Sequence, residues 1–88
     1  MRVSRIIYHP DFVKELRELE TSIQLRAIKT EDLFRDNPLH SSLRLHQLSG
    51  KLQGSWSISV NMKVRILFVR QENGDIVFYS IGRHAIYK

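Results

Sequence analysis

The sequence predicts a single α+β domain of order β-α-α-β-β-β, with a helical hairpin packed on one face of an antiparallel sheet. Three observations carry this expectation. Apolar residues recur at helical spacing between Phe12 and Phe34. From Trp56 onward the period becomes two, as in half-buried strands. Asn73-Gly74 then offers a favoured hairpin turn between two such runs. A chain of 88 residues has room for one core only, so residues 1–88 form one expected domain.

Val3 to Tyr8 is short, rich in β-branched residues and followed by a proline, which predicts strand 1. His9 is placed to cap a first helix, and Pro10 suits its first turn because the missing N–H would be unsatisfied there. Phe12, Val13, Leu16 and Leu19 mark one face of that helix; Lys14, Glu15, Arg17 and Glu18 mark the other. Thr21-Ser22-Ile23-Gln24 reads as a capping box that starts a second helix. Ile23, Ala27, Thr30 and Phe34 continue it as a stripe until Asn37-Pro38, where the residue before proline disfavours the helical region. From Leu39 to Gly54 the pattern is irregular and predicts a loop, extended in part and packed on the domain edge, anchored by Leu43, Leu45, Leu48 and Leu52. Trp56, Ile58 and Val60 alternate with Ser57 and Ser59, then Asn61-Met62-Lys63 turns the chain. Val64, Ile66 and Phe68 define the next strand, and Ile76 to Ile81 the last. If the apolar members point at the helices, Ser57, Ser59 and Arg65 occupy an open face.

Composition excludes several classes. There is no cysteine, hence no disulfide framework and no thiolate zinc site, and a reducing, cytoplasmic setting is expected. The N-terminal residues lack the pattern of a signal peptide, and no apolar run approaches the roughly 20 residues that span a bilayer, so no membrane role is expected. Net charge is +5 and unevenly spread. Residues 1–37 carry seven Lys/Arg against seven acids, whereas residues 38–88 carry seven against Glu72 and Asp75 alone. A one-sided field of this kind attracts polyanions, nucleic acid foremost.

The second half also holds the residues with chemical potential. Arg65 stands in a strand between apolar neighbours, and a guanidinium is rarely buried alone. It is a phosphate clamp, a solvated strand arginine or one member of an ion pair. His84 follows the last strand beside Arg83, where a histidine can exchange protons at neutral pH; the plainer reading is a surface histidine. Tyr87 can stack on a base or pack on the core. His46 sits in the polar loop near Lys51 and is either a proton carrier or an ordinary loop histidine. Trp56 belongs to the core or, with the register shifted by one residue, to a stacking platform. His40, His46 and His84 match no standard metal-ligand spacing, so neither metal nor other cofactor is expected. No Gly-rich phosphate loop or nucleophile elbow is present.

Taken in order, several segments resemble the RelE/ParE toxin superfamily, and within it the YafQ-like ribonuclease branch. These are Tyr8-His9-Pro10-Asp11-Phe12, Asn37-Pro38-Leu39, Leu45-His46-Gln47-Leu48-Ser49-Gly50, Gly54-Ser55-Trp56-Ser57-Ile58, Arg65-Ile66-Leu67-Phe68 and Ile81-Gly82-Arg83-His84-Ala85-Ile86-Tyr87. The resemblance implies a RelE-like, microbial-ribonuclease-like fold. It also implies the toxin of a two-gene toxin–antitoxin module that cuts mRNA in the ribosomal A site, restrained by a cognate antitoxin. On this basis His84, His46 and Arg65 are the expected catalytic residues, and Arg83, Lys51, Lys63 and Tyr87 the RNA- and phosphate-binding ones. Two departures stand out: Ala85 replaces the acid that usually follows the C-terminal histidine, and Ser57-Ile58-Ser59-Val60-Asn61 lacks the further histidine and acids common in that strand. A ParE-like gyrase inhibitor and an inactive antitoxin-binding homologue are the alternative expectations.

Overall fold

The computed structural model describes residues 1–83. Strand β1 (Ile6–Tyr8) leads through His9 into helix α1 (Pro10–Arg17), and α2 (Thr21–Asp36) follows after a short link. The remaining strands are β2 (His46–Gln47), β3 (Ser55–Ser59), β4 (Val64–Arg70) and β5 (Ile76–Arg83). Residues Ser41–Leu43 and Gly50–Leu52 form single 3-10 turns on either side of β2. The region expected as a loop therefore contributes a fifth, two-residue strand, antiparallel to β3.

The sheet order is β1-β5-β4-β3-β2. The antiparallel meander of the last three long strands is as expected, but β1 runs parallel to β5, so the sheet is mixed rather than antiparallel throughout. The reason is connection length. A hairpin turn forces opposed directions, while β1 and β5 are joined through both helices and the whole meander, which leaves either direction open. Strand β1 is also shorter than Val3–Tyr8, beginning only at Ile6.

Helix α1 starts as its sequence dictates. Nδ1 of His9 accepts the backbone N–H of Asp11 at 3.0 Å, and Pro10 occupies the first turn. The start of α2 differs from expectation. Its cap residue is Glu20, without a side-chain cap bond, and Thr21 is already helical. Gln24 does not complete a capping box; its Nε2 donates to the carbonyls of Leu19 at 2.8 Å and Arg17 at 3.3 Å. The link between the helices is so short that the unsatisfied carbonyls ending α1 lie within reach of Gln24. One amide thus satisfies the end of one helix from the first turns of the next.

Phe34, Phe68 and Phe78 are fully buried between α2 and the sheet, with ring centroids 5.1–6.2 Å apart. Phe12 joins them from α1, 5.4 Å from Phe78. Trp56 stacks on Phe68 with centroids 6.5 Å apart, so it packs against the core and is no stacking platform. Where β1 stops, α1 takes over the edge of β5. Glu15 Oε1 accepts from the Ile81 N–H at 3.2 Å and the Ser80 hydroxyl at 3.0 Å, covering donors that no strand reaches.

The β4–β5 connection is a three-residue loop, not the two-residue turn expected. Gly74 N–H donates to Gln71 O and Gln71 N–H to Asp75 O, and of Asn73 and Gly74 only the glycine has positive φ, at 90°. A bulge opposite Leu67 and Phe68 inserts Tyr79 as an extra residue in β5.

Candidate nucleic-acid interface

The face of the sheet away from the helices is built by alternation. His46 lies directly across from Ser57, which pairs with Leu67, which pairs with Ser80. Two residues along β3, Ser59 pairs with Arg65, and Arg65 with Gly82. Directly opposed residues share a face, so His46, Ser57, Ser59 and Arg65 lie on one side. Two strand spacings across and two residues along place the Cα atoms of His46 and Arg65 about 12 Å apart. A guanidinium and an imidazole approaching from those points can flank one ribose-phosphate unit. Gly82 adds no side chain beside Arg65, so the space above that position is free of a neighbour from β5.

This face is less open than the alternation suggested. Ser57 and Ser59 are only 2% and 8% exposed, and Leu67 is 2% exposed outside the main core. Part of the cover is Tyr79, whose hydroxyl donates to Ser55 Oγ at 2.8 Å and whose ring must cross β4 to do so. Serines permit this close cover because they have little volume to displace, and the hydroxyl of Ser55 gains a partner from it.

Arg65 is half-buried, and its Nη1 donates to the carbonyls of Asn61 at 2.6 Å and Val64 at 3.3 Å. Among the described residues no acid pairs with it, so the ion-pair alternative is not realised. One edge of the guanidinium is fixed by backbone, and the rest carries N–H groups with no partner among the described residues. Asn61 reinforces the turn by accepting the N–H groups of Lys63 and Val64 at 2.8 and 2.7 Å. From α2, Arg26 Nε donates to Val60 O at 2.7 Å, so two guanidiniums brace the β3–β4 turn.

The other expected binding residues are more scattered. Lys63 is exposed in the braced turn, and Lys51 is exposed in the Gly50–Leu52 turn near β2. Arg83 is exposed at the end of β5 and pairs with Val64, a core residue, which puts it on the helix side while Arg65 lies on the other. His84, Ala85 and Tyr87 lie outside the described residues. His40 caps a 3-10 turn by accepting the Ser42 N–H at 3.2 Å, a local structural task. Among the described residues, no group of three or more His, Cys, Asp or Glu gathers as metal ligands would. No helix there is long and apolar enough to cross a membrane.

The ion pairs repeat the charge asymmetry of the sequence. Arg5–Asp75 and Arg35–Glu31 both draw their basic member from the first 37 residues. Among the described residues, the cations of the second half have no acid within ion-pair distance.

This architecture is similar to known structures. YafQ from Escherichia coli strain BL21(DE3) superposes with a TM-score of 0.78 at 18% identity, over 94% of this chain and 97% of that one. The RelBE2 toxin–antitoxin complex from Mycobacterium tuberculosis contains a chain that matches with a TM-score of 0.74 at 19% identity, over 97% of this chain and 95% of that one. The YoeB/ParE toxin from Agrobacterium tumefaciens also reaches 0.74, at 9% identity, over 92% and 99%. The chain has the RelE/ParE toxin fold. No family model matches the sequence, and no curated protein aligns with it. Within this toxin fold, the sequence did not single out Arg26, Arg44 and Tyr79 as contributors to the polar surface. Arg26 lies in the half whose charge cancels, and no local motif distinguishes the others.

Proposed function

We propose that this protein is the toxin of a type II toxin–antitoxin module and acts as a ribosome-dependent mRNA endoribonuclease. The observation that carries the reading is the near-complete superposition on YafQ, together with His46 and Arg65 on the same sheet face. In the proposed reaction a histidine removes the proton of a ribose 2′-OH. The oxygen then attacks the adjacent phosphorus, and the P–O5′ bond breaks. A second proton carrier protonates the departing 5′-oxygen. The products are a 2′,3′-cyclic phosphate and a free 5′-hydroxyl. His84 and His46 are the proposed proton carriers, and Arg65 stabilises the crowded phosphate through its remaining donors. Arg83, Lys51, Lys63 and Tyr87 are proposed to hold the RNA strand. All steps use protein groups alone.

The proposed partners are mRNA in the ribosomal A site and a cognate antitoxin. The RelBE2 structure, a toxin–antitoxin complex on the same fold, supports the second. The proposed setting is the cytoplasm, where both would be met.

The test is incubation of the protein with translating ribosomes and a defined mRNA, with primer extension to map cuts. The wild type is expected to cut within codons and His84→Ala to lose the cuts. An absence of cuts by the wild type overturns the ribonuclease reading. Inhibition of gyrase supercoiling in a parallel reaction would establish the ParE-like alternative instead.

A further inference from the structure

Beyond that face, the structure holds a second basic recess at the free edge of β3. It has two adjoining lobes, of about 180 Å³ and 550 Å³, that share Arg26, Ser42, Ser59 and Val60. Arg44, Asn61 and Met62 complete the smaller lobe, while Lys29, Leu25 and Leu33 extend the larger along α2. No acidic residue lines either lobe.

Two features point to an anion, and a third residue adds its charge. Ser59 is 8% exposed, and its Oγ has no hydrogen-bond partner among the described residues, a rare condition for a buried hydroxyl. Arg44 adopts a left-handed backbone with φ 48°, the only non-glycine residue among those described to do so. That conformation ends the Ser41–Leu43 turn, with the Arg44 N–H donating to Ser41 O, and it sets Arg44 on the wall of the smaller lobe. Arg26 is anchored by its Nε on Val60 O, which pre-orients the guanidinium beside the recess and leaves its terminal nitrogens without a partner among the described residues.

We propose that this recess binds the phosphate of a nucleotide-sized ligand. The phosphate takes the smaller lobe against Arg26, Arg44 and the hydroxyl of Ser59, by charge-assisted hydrogen bonds. The base or sugar takes the larger lobe, where Leu25 and Leu33 supply apolar wall. The phosphate belongs either to a free nucleotide or to an RNA strand. The second source is favoured by position, since Ser59 pairs with Arg65 and Arg65 holds the carbonyl of Asn61. The recess therefore adjoins the proposed cleavage face across the width of β3. The proposal does not depend on cleavage: it stands if the protein binds phosphate and cuts nothing.

The experiment is an amide chemical-shift titration at low salt with 5′-AMP, adenosine and a 2′-O-methyl hexanucleotide that cannot be cleaved. Saturable shifts at Ser42, Arg44 and Ser59 are expected with AMP and not with adenosine. Competition between AMP and the hexanucleotide identifies a strand phosphate; binding of AMP alone identifies a free nucleotide. Arg44→Gly is the deciding variant, because glycine accepts positive φ without strain. It should weaken AMP binding at least about tenfold, the loss of one charge-assisted contact, while its unfolding midpoint stays level or rises. Equal affinity in Arg44→Gly, equal binding of adenosine, or shifts confined to other residues overturns the proposal. Loss of mRNA cuts with AMP binding intact would remove the ribonuclease reading and leave this site standing.

Discussion

The two faces of the sheet solve opposite problems with the same strands. On the helix side, Ile58, Ile66, Phe68, Phe78 and Ile81 are buried against Phe12, Ala27 and Phe34, and among the described residues no buried polar side chain of a strand joins that layer. On the other side the same strands present Ser55, Ser57, Ser59 and Arg65, with Leu67 between them. The first face is held by volume and the second by hydrogen bonds, from Tyr79 to Ser55 and from Arg65 to the turn carbonyls. The difference teaches where function can sit. A close-packed apolar layer has one arrangement and no spare bonding capacity. Among the described residues the polar layer keeps a guanidinium edge and a hydroxyl without partners, so it can bind something without dismantling the fold.

The largest expected effect comes from breaking the packed face. Phe34→Ala removes a fully buried ring from the aromatic cluster. It should cost about 3–5 kcal/mol of unfolding free energy, read from urea denaturation. A cost under about 1 kcal/mol would mean the cluster is not the tightly packed core described. The same experiment on the polar face should give the opposite pattern. His46 is exposed at the sheet edge, so His46→Ala should leave the denaturation curve nearly unchanged. If it is a proton carrier, mRNA cleavage should fall about 100- to 10,000-fold. A variant that cuts as well as the wild type would take His46 out of the mechanism and leave the fold untouched.

The packed face was far more legible in the sequence than the polar one. Ile23, Ala27, Thr30 and Phe34 declared their helix by spacing alone, and Trp56 and Ile58 declared their side of β3 by alternation. Such patterns are visible because burial repeats with the geometry of the element. What failed to show was whatever depends on contacts between distant segments. Nothing local says that β1 pairs parallel to β5, or that two residues after a 3-10 turn will add a strand. Gln24 satisfies the preceding helix because of how the two helices meet, which the capping pattern does not encode. The candidate site divides in the same way. His46 and Arg65 could be singled out by type and position, but their shared face needed the register. Arg26 and Arg44 come together from segments eighteen positions apart that each look ordinary.

Two smaller perturbations test the seam between the faces, where the N-terminal segment meets the β4–β5 loop. Asp75 is 6% exposed and accepts from Arg5 Nη2 at 2.8 Å and Asn73 Nδ2 at 3.2 Å. Asp75→Ala should cost about 1.5–3 kcal/mol, the range for hydrogen bonds to a charged group. Gly74→Ala acts beside it by a different cause. The position has φ 90°, and an added Cβ would stand 2.8 Å from Ser4 Oγ. Destabilisation of about 1 kcal/mol or more is expected, seen as a lower denaturation midpoint. A neutral Gly74→Ala would show that Ser4 and the loop yield easily, and so that this seam is held by Asp75 and not by the loop's shape.

The smallest effect concerns polar groups on the helix side that have already found their partners. The Tyr8 hydroxyl donates to Glu31, and Arg35 Nη2 meets the same carboxylate at 3.0 Å. Burial, then the hydrogen bond to Glu31, raises the Tyr8 phenol above its ordinary range, and Arg35 only partly offsets this. A raised pKa in the folded state means the neutral phenol is the form the fold favours. Its contribution is therefore complete below the ordinary tyrosine pKa of about 10 and is lost as pH rises through the higher folded value. Because Tyr8 is 42% exposed, solvent screening keeps that contribution to about a few tenths of a kcal/mol. Denaturation midpoints followed from pH 9 to pH 12 should fall slightly more steeply for the wild type than for Tyr8→Phe. Parallel curves would show that the Tyr8–Glu31–Arg35 contact is a surface convenience. A steeper wild-type fall would show it as a closed network, in contrast to Arg65 on the other side, which meets no acid among the described residues.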